Sequence, residues 1–192
     1  MATTSRTLAM VTLVLVGGCS STTPGTALPG APTTGSGLPA RTKDLPVRGV
    51  DPCTLLTPAQ LDQLNENGAP RLVARESWRD GPTCAFGVDA VPPTYTYYLE
   101  TITTYDLEDW RTGTHDKSNL TQQPASVPGF PALVEFAPSA GIQDCETLVG
   151  VAAGQTLRAE TAPDDTSFTQ QQLCDMATTV AKMAVETLET LK

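Results

Sequence analysis

The sequence predicts an α+β domain in which helices flank an antiparallel β-sheet. Two observations lead to this class. Short segments rich in Thr, Val, Ile and Tyr come in groups separated by turn sequences, as in strands joined by hairpins. Segments with helical starts, or with apolar residues three and four positions apart, lie before, between and after these groups. Hairpin-joined strands with helices between them are typical of a sheet on which helices pack.

The first predicted helix follows Leu56. Thr57 has the features of an N-cap, Pro58 suits the first helical position, and Gln60 completes a capping box. We expect this helix to be short. It should end near Asn67-Gly68, because glycine readily adopts the left-handed turn that ends many helices.

Strands are predicted where β-branched and aromatic residues are dense. The clearest covers 94–105, and one of its faces carries four large side chains: Tyr95, Tyr97, Leu99 and Tyr105. A hairpin is predicted across Ala153-Gly154. The predicted strands are, in chain order, 71–77, 83–88, 94–105, a loop and strand within 126–137, 145–152 and 155–160.

The segment 106–120 is predicted to be the second helix. It begins with the acids Asp106, Glu108 and Asp109, which are favourable near a helix N-terminus. Trp110 lies on the side that should face the sheet.

The last predicted helix covers 169–191. Thr169 and Gln172 have the spacing of a capping box. Apolar residues at spacings of three and four predict a buried face: Leu173, Ala177, Val180, Ala184, Leu188 and Leu191.

Residues 1–18 are predicted to be a lipoprotein signal peptide. Arg6 provides a positive start, and 8–16 is an apolar stretch too short to span a bilayer. Val16-Gly17-Gly18-Cys19 has the small residues before cysteine of a bacterial lipobox, in which the sulfur takes a diacylglyceryl group. We expect acyl chains on Cys19 to anchor the protein at the outer face of the cytoplasmic membrane. The alternative is an ordinary secretory signal with an incidental cysteine.

Residues 19–49 form a predicted tether, which comprises the lipidated cysteine and a disordered segment rich in Ser, Thr, Pro and Gly. Its few large apolar residues cannot bury enough surface to offset the loss of conformational entropy. A single α+β domain is predicted over 50–192. This part has eight basic and twenty acidic residues, a net charge of −12, which should hold it away from an anionic membrane.

The charge of the whole chain limits its function. Lys and Arg number 12 against 21 for Asp and Glu. We expect no nucleic-acid partner, because neutralising phosphates requires clustered basic residues. The single histidine excludes sites built from two or more imidazoles. The sequence predicts no cofactor, no metal site and no catalytic residues.

Four cysteines remain if Cys19 is lipidated: Cys53, Cys84, Cys145 and Cys174. An even number in an exported domain predicts two disulfides. Three pairings are open. We favour the two sequential pairs, although periodicity does not decide between them. A zinc site is the competing interpretation, but the chain has no Cys-x-x-Cys motif.

Several motifs together resemble one protein family. Besides the lipobox and the Thr/Pro/Gly-rich segment, they are Asp51-Pro52-Cys53-Thr54-Leu55-Leu56-Thr57-Pro58, Thr83-Cys84-Ala85-Phe86, Val127-Pro128-Gly129-Phe130-Pro131, a strand at Cys145, and Cys174-Asp175 in the last helix. The combination resembles the actinobacterial lipoproteins of domain-of-unknown-function family 3558, over the whole exported part. One departure is Phe86, where Trp is expected.

The resemblance implies more than the residues alone. It supports pairing Cys53 with Cys84 and Cys145 with Cys174. It also implies an antiparallel sheet flanked by helices, an α-β-α sandwich of the PsbP/Mog1 type. It implies no catalytic residues and no activity.

Three chemical sites can be drawn, each with a structural alternative. His115 is the one imidazole available to a Ser-His-Asp triad, with Ser118 or a distant serine as nucleophile, but we expect a surface or boundary histidine. Glu100 and Glu135 could form a carboxylate pair in a cleft, although strand carboxylates more often face water. Acids that could ligate calcium, or merely cap a helix, are Asp106, Glu108, Asp109, Asp164 and Asp165.

Aromatic residues suggest a recognition surface. Tyr and Trp dominate binding hot spots, and the candidate residues are Tyr95, Tyr97, Tyr98 and Trp110. The alternative is a strand with one core face and one solvated face. We expect a non-enzymatic binding or assembly module whose partner is an envelope protein or lipid. A carrier of a lipid or small hydrophobic molecule, and an envelope hydrolase using His115, are the alternatives.

Overall fold

The computed structural model describes residues 37–74, 77–113, 115, 119–138, 141 and 143–191. The chain divides into two units, 1–30 and 31–192. The first unit, and with it the predicted signal peptide and Cys19, lies outside the described residues.

The described residues of the second unit form one seven-stranded antiparallel sheet. The strands are β1 (Arg71–Leu72), β2 (Thr83–Val88), β3 (Tyr95–Ile102), β4 (Thr121–Val127), β5 (Phe130–Phe136), β6 (Cys145–Ala152) and β7 (Gln155–Pro163). Their spatial order is β1-β2-β3-β7-β6-β5-β4. After β3 the chain crosses to the far edge and returns strand by strand, so that β7 pairs with β3 in the middle of the sheet.

Three α-helices accompany the sheet: α1 (Pro58–Gln63), α2 (Leu107–Arg111) and α3 (Gln170–Thr190), with a short 3₁₀ turn at Pro52–Thr54. The predicted capping boxes at Thr57 and Thr169 are confirmed, with Gln60 and Gln172 as the reciprocal partners. No helix among the described residues is long and apolar enough to cross a membrane.

Two helices are shorter than predicted. The second was expected over 106–120, but α2 has only five residues. It ends before Gly113, whose positive φ of 81° leaves the helical conformation. The first helix ends at Gln63 rather than near Asn67-Gly68, because Asn65 already takes a left-handed φ of 57°.

The strand predictions were wrong at the two edges of the sheet. Edge strand β1 has two residues instead of the seven in 71–77. Edge strand β4, which the sequence analysis did not predict, covers Thr121–Val127 and pairs with β5 through a hairpin at Pro128-Gly129. Its sequence is polar and contains Pro124, so it lacks the density of β-branched residues that marks a strand.

Helix α3 packs across one face of the sheet. Of the six apolar residues predicted to form its inner stripe, five are buried and Leu191, just past the end of the helix, is 53% exposed. Facing α3 is the main core, which includes Phe86, Tyr97 and Leu99. The prediction of the buried face of α3 from its apolar spacing is therefore confirmed for these five residues.

The opposite face of the sheet holds a smaller core beneath α2. Its buried members are Leu38, Ile102, Leu107, Trp110, Leu133 and Leu148. Helix α2 approaches the sheet closely at Gly150, where an added Cβ would lie 3.2 Å from the Cβ of Leu107. The sheet is therefore covered on both faces.

The C-terminal part of the predicted tether is packed against the domain. We call residues 38–48 the strap. Leu45 and Val47 are 3% and 1% exposed. The backbone N–H of Leu45 donates to the carbonyl oxygen of Val151 at 2.8 Å, and that of Thr42 to the carbonyl oxygen of Gly129 at 2.9 Å. The prediction of a disordered tether up to residue 49 is therefore wrong for the strap, because its alternate apolar side chains enter the core.

Strand registers define two ends of the sheet. At the entry end, where the strap packs, Thr156 is paired with both Ile102 and Gly150. At the far end, Tyr95 is paired with both Val88 and Pro163.

Both disulfides join the sheet to another element. Cys53–Cys84 links the 3₁₀ turn to β2, and Cys145–Cys174 links β6 to α3. The sequential pairing is confirmed.

Candidate functional site

The sheet face opposite α3 carries a group of buried charged side chains. We call it the buried charge cluster, and its members are Arg79, Asp80, Glu100, Glu146, Arg158 and Glu160. Strand pairing brings it together, because Glu100 lies opposite Arg158 and Glu146 lies opposite Glu160. Four carboxylates therefore surround two guanidinium groups beneath the segment that follows β1.

Glu100 lies at the centre of this cluster and is fully buried. One carboxylate oxygen, Oε1, accepts hydrogen bonds from the backbone N–H groups of Asp80 at 2.5 Å and Gly81 at 2.6 Å. The other, Oε2, pairs with Arg158. These hydrogen bonds and the ion pair offset the free energy that the carboxylate loses when it is removed from water.

The 80–81 turn reaches Glu100 only because residue 81 is glycine. A Cβ at Gly81 would lie 2.1 Å from the carbonyl oxygen of Thr101, well inside van der Waals contact. The close approach of this turn to β3 is therefore set by the lack of a side chain.

Arg79 closes the cluster from above. Its Nη1 lies 2.6 Å from Glu160 Oε2, and its guanidinium carbon lies 3.9 Å from the ring centre of Trp78 and 4.6 Å from that of Tyr98. The guanidinium is thus paired with a carboxylate and in contact with two aromatic rings, an arrangement that suits arginine and not lysine.

The cluster contains one carboxyl group that titrates near neutral pH. Burial, together with the negative charge of Glu146, raises the pKa of Glu160 to about 7 against the opposing positive charges of Arg79 and Arg158. Glu160 therefore gains or loses a proton in the range where most carboxylates remain ionised.

Arg158 stays charged in this setting. Burial by itself would lower the pKa of Arg158, but Glu146 and Glu100, with the cluster's other carboxylates, outweigh burial and raise it. The positive charge of Arg158 is therefore kept across the physiological pH range.

His115 lies beside the cluster as a partly exposed boundary residue. Its Nε2 lies 3.0 Å from Asp80 Oδ1, and its ring stacks on Tyr105 with centroids 3.7 Å apart. Trp110 meets it edge-on. These contacts hold the imidazole in place. Ser118, the suggested nucleophile, lies outside the described residues.

The other predicted chemical sites do not assemble. Glu100 and Glu135 are both buried, and strands β7 and β6 lie between them, so they form neither a pair nor part of an open cleft. Glu135 instead accepts a hydrogen bond from Gln122 at 2.6 Å. Asp106 and Asp109 form the capping box of α2. In the part of the chain that the structure describes, no three or more His, Cys, Asp or Glu side chains are arranged so that they could hold a metal ion.

The predicted aromatic surface is wrong for two of its four residues. Tyr97 and Trp110 are 3% and 1% exposed, and they belong to the two cores. Tyr98 is half-buried against Arg79. Tyr95 is also half-buried, and it lines a groove.

This far-end groove is a cleft of about 480 Å³. Six apolar or aromatic residues that line it are Val88, Val91, Tyr95, Tyr97, Phe168 and Met176. The Tyr95 ring makes edge-to-face contacts with Phe168 at 5.3 Å and Tyr97 at 5.2 Å between centroids. Its walls come from the β2–β3 loop and the residues around the start of α3.

Comparison with known proteins yields one match. A family model described as "Protein of unknown function (DUF3558)" matches residues 14–187. The chain belongs to the DUF3558 family. No curated protein and no solved structure matches it.

The DUF3558 match spans the strap, both disulfides and the buried charge cluster. It also spans two further clefts. The entry cleft, of about 810 Å³, lies between the strap and α2, and is lined by Leu38, Arg41 and Leu107 among others. The edge cleft, of about 530 Å³, lies between β4 and α3.

The sequence analysis missed Arg79, Arg158 and Glu160. In β7 the charged residues Arg158 and Glu160 alternate with Leu157 and Ala159, which is the pattern of a strand with one solvated face. The pairing of β3 with β7, which brings Glu100 opposite Arg158, joins segments far apart in the chain and has no local sequence signal.

Proposed function

We propose that this DUF3558 protein is an exported lipoprotein, anchored through Cys19 at the outer face of the cytoplasmic membrane, and that it acts as a non-enzymatic binding or assembly module. One observation carries the proposal. The chain leading from Cys19 joins the domain at the entry end of the sheet, and the far-end groove opens at the opposite end. An anchored domain built in this way presents its aromatic groove to other envelope components.

Two further features support export and binding. The two disulfides support export, because disulfide bonds form and persist in oxidising compartments outside the cytoplasm. The strongly perturbed carboxyl, Glu160, is 5% exposed and pairs with Arg79, which supports a structural role for it. We further propose that the sheet and helices are arranged as in the PsbP/Mog1 type of sandwich and that the protein is an actinobacterial lipoprotein.

The anchor is tested by replacing Cys19. Detergent-phase partitioning compares the native chain, Cys19→Ala and the matched control Ser20→Ala, all produced in an actinobacterial host. We expect the native chain and the Ser20→Ala variant in the detergent phase, and Cys19→Ala in the aqueous phase or culture fluid. Retention of Cys19→Ala in the detergent phase would overturn the anchor. Digestion by protease added to intact spheroplasts tests the outer-face location.

A carrier function is the second candidate, and the edge cleft favours it. This cleft lies between the sheet and α3, and the apolar residues Val134 and Phe136 are among those that line it. Its volume is within the range of small-molecule sites. Organic extraction of the purified protein followed by mass spectrometry tests it. An empty extract and no displacement of a fluorescent fatty acid would reject the carrier.

A hydrolase is the third candidate, because His115 and Asp80 form two parts of a triad. The described contacts of the His115 side chain are with Asp80, Tyr105 and Trp110, and none of these is the Ser, Thr or Cys nucleophile of a triad. Replacement of His115 by Gln tests this version. Hydrolysis of an envelope ester that disappears in the variant would favour the enzyme over the binding module.

A further inference from the structure

The far-end groove exposes apolar surface that the fold does not use. Val91, at its mouth, is 72% exposed, the highest value among the large apolar residues described. Tyr95 and Phe168 are half-buried and present ring surface within the cleft. Met176, an adaptable side chain, lies at the same site. Rigid aromatic rings beside a flexible methionine are typical of surfaces that accept an apolar side chain from a partner.

The rim of this groove is acidic. Asp89 adjoins the Val88–Val91 wall, and the backbone N–H of Asp164 donates to Thr94 at 3.0 Å, which fixes Asp164 beside Tyr95. Glu66 lies between Asn65 and Asn67, which line the groove. Burial raises the pKa of Glu66, the backbone of Gly68 opposes this, and the charge of Asp89 raises it further.

The groove has no basic counterpart. None of its lining residues is Lys or Arg. The exposed cations among the described residues are Arg71 in β1 and Lys43 and Arg48 in the strap. No cation therefore lies among the residues that line the groove beside Asp89.

We propose that the far-end groove binds a protein segment that presents one or two apolar side chains flanked by Lys or Arg. The inference rests on the proposed binding module and names the chemistry of its partner. The apolar side chains enter among Tyr95, Phe168 and Met176, and the flanking cations lie over Asp89 and Asp164. An anionic lipid headgroup is disfavoured, because the same carboxylates repel it.

Defined peptides test the proposal. The first probe is a blocked, fluorescein-labelled hexapeptide with Leu-Phe between two pairs of lysines. One control replaces the lysines with glutamates, and a second replaces Leu-Phe with Ser-Ser. Binding to the full chain carrying Cys19→Ala is followed by fluorescence anisotropy. We expect only the first peptide to bind, with an affinity that falls as salt rises.

Variants locate the site. Val91→Ser and Phe168→Ala should each weaken binding about ten-fold, as expected when one anchor contact of a small interface is lost. Asp89→Asn with Asp164→Asn should reduce both the affinity and its salt dependence. The control Leu191→Ser changes a residue that is 53% exposed at the end of α3 and should have no effect. Circular dichroism and thermal unfolding establish that each variant is folded.

Three outcomes would overturn the proposal. The first is failure of the lysine peptide to bind, the second is equal binding of the glutamate peptide or the Ser-Ser peptide, and the third is unchanged binding by both Val91→Ser and Phe168→Ala. Failure here is distinct from failure of the proposed anchor, because the peptide experiment uses a chain without Cys19. If the partitioning result holds and the lysine peptide does not bind, the lipoprotein stands and this partner chemistry is wrong.

Discussion

At the scale of single residues, the main feature is a group of charged side chains buried inside the domain. Arg158 and Glu100 are each almost completely buried and pair across two central strands. Removing one member of such a pair leaves the other charged and desolvated, which is strongly destabilising. Glu100 therefore links β3 to β7 through Arg158 and to the 80–81 turn through two backbone N–H groups.

Glu160 makes the stability of the protein depend on pH. Its pKa is raised from 4.5 to about 7, so the folded state binds its proton more tightly than the unfolded state does. The stabilisation from this proton is complete below pH 4.5 and is lost as pH rises through 7. We expect the free energy of unfolding to fall by about 1 to 3 kcal/mol between pH 5 and pH 8. Urea unfolding across this range measures it.

The matching variant is Glu160→Gln, which carries no charge at either pH. Its unfolding free energy should lose the part of the slope between pH 5 and pH 8 that comes from Glu160, whereas Glu189→Gln, at the surface, should keep the native slope. A native slope in Glu160→Gln would assign the effect to another group.

A substitution at Gly81 tests whether the close approach of the 80–81 turn to the sheet is needed for stability. Replacement by Ala places a Cβ 2.1 Å from the Thr101 carbonyl oxygen. We expect Gly81→Ala to lower the unfolding free energy by about 2 kcal/mol or more, because the turn must move and weaken its bonds to Glu100. Gly87→Ala is the matched control, since an added Cβ there meets no atom within 4 Å. Equal stability of the two variants would contradict this role.

At the scale of elements, the strap changes where the folded domain begins. Leu45 and Val47 each bury a whole side chain, and each contributes about 1.5 to 3 kcal/mol. A protein that starts at residue 37 should therefore unfold at a clearly higher urea concentration than one that starts at residue 50. Equal midpoints would show that the strap is bound without stabilising the domain.

The elements also show which sequence signals are reliable. The capping boxes at Thr57 and Thr169 and the hairpin at Ala153-Gly154 depend on residues within four positions of each other, and all three are confirmed. Helix α2 was overestimated because its favourable start says nothing about where it ends. Strand β4 was missed because β5 imposes its conformation on a polar sequence.

At the scale of the whole molecule, two disulfides hold the outer elements on the sheet. Each closes a loop of about 30 residues, worth roughly 3 to 4 kcal/mol. Replacing Cys145 and Cys174 together by Ala should lower the unfolding free energy by about that amount and leave the protein folded. Reduction of both bonds should remove about twice as much, which is comparable to the whole stability of a typical domain. Urea titrations with and without reductant compare the two. No change on reduction would contradict this account.

The distribution of charge also belongs to this scale. The part after residue 49 has a net charge of −12, and the strap adds Arg41, Lys43 and Arg48 at the entry end. The strap is therefore basic, whereas Asp89 and Asp164 lie beside the far-end groove, whose lining residues include no Lys or Arg. This contrast is the basis for expecting a basic partner at the groove.

The amino-acid sequence by itself determined the α+β class, most strand and helix positions, the stripe of α3 that is buried and the presence of two disulfides. Each follows from short-range patterns or composition. Only the tertiary structure decided the strap and the buried charge cluster. Arg158 meets Glu100 from 58 positions away, and Leu45 meets Val151 across more than a hundred. Such contacts depend on strand order and register, which are set by the packing of the whole sheet and leave no mark in the local sequence.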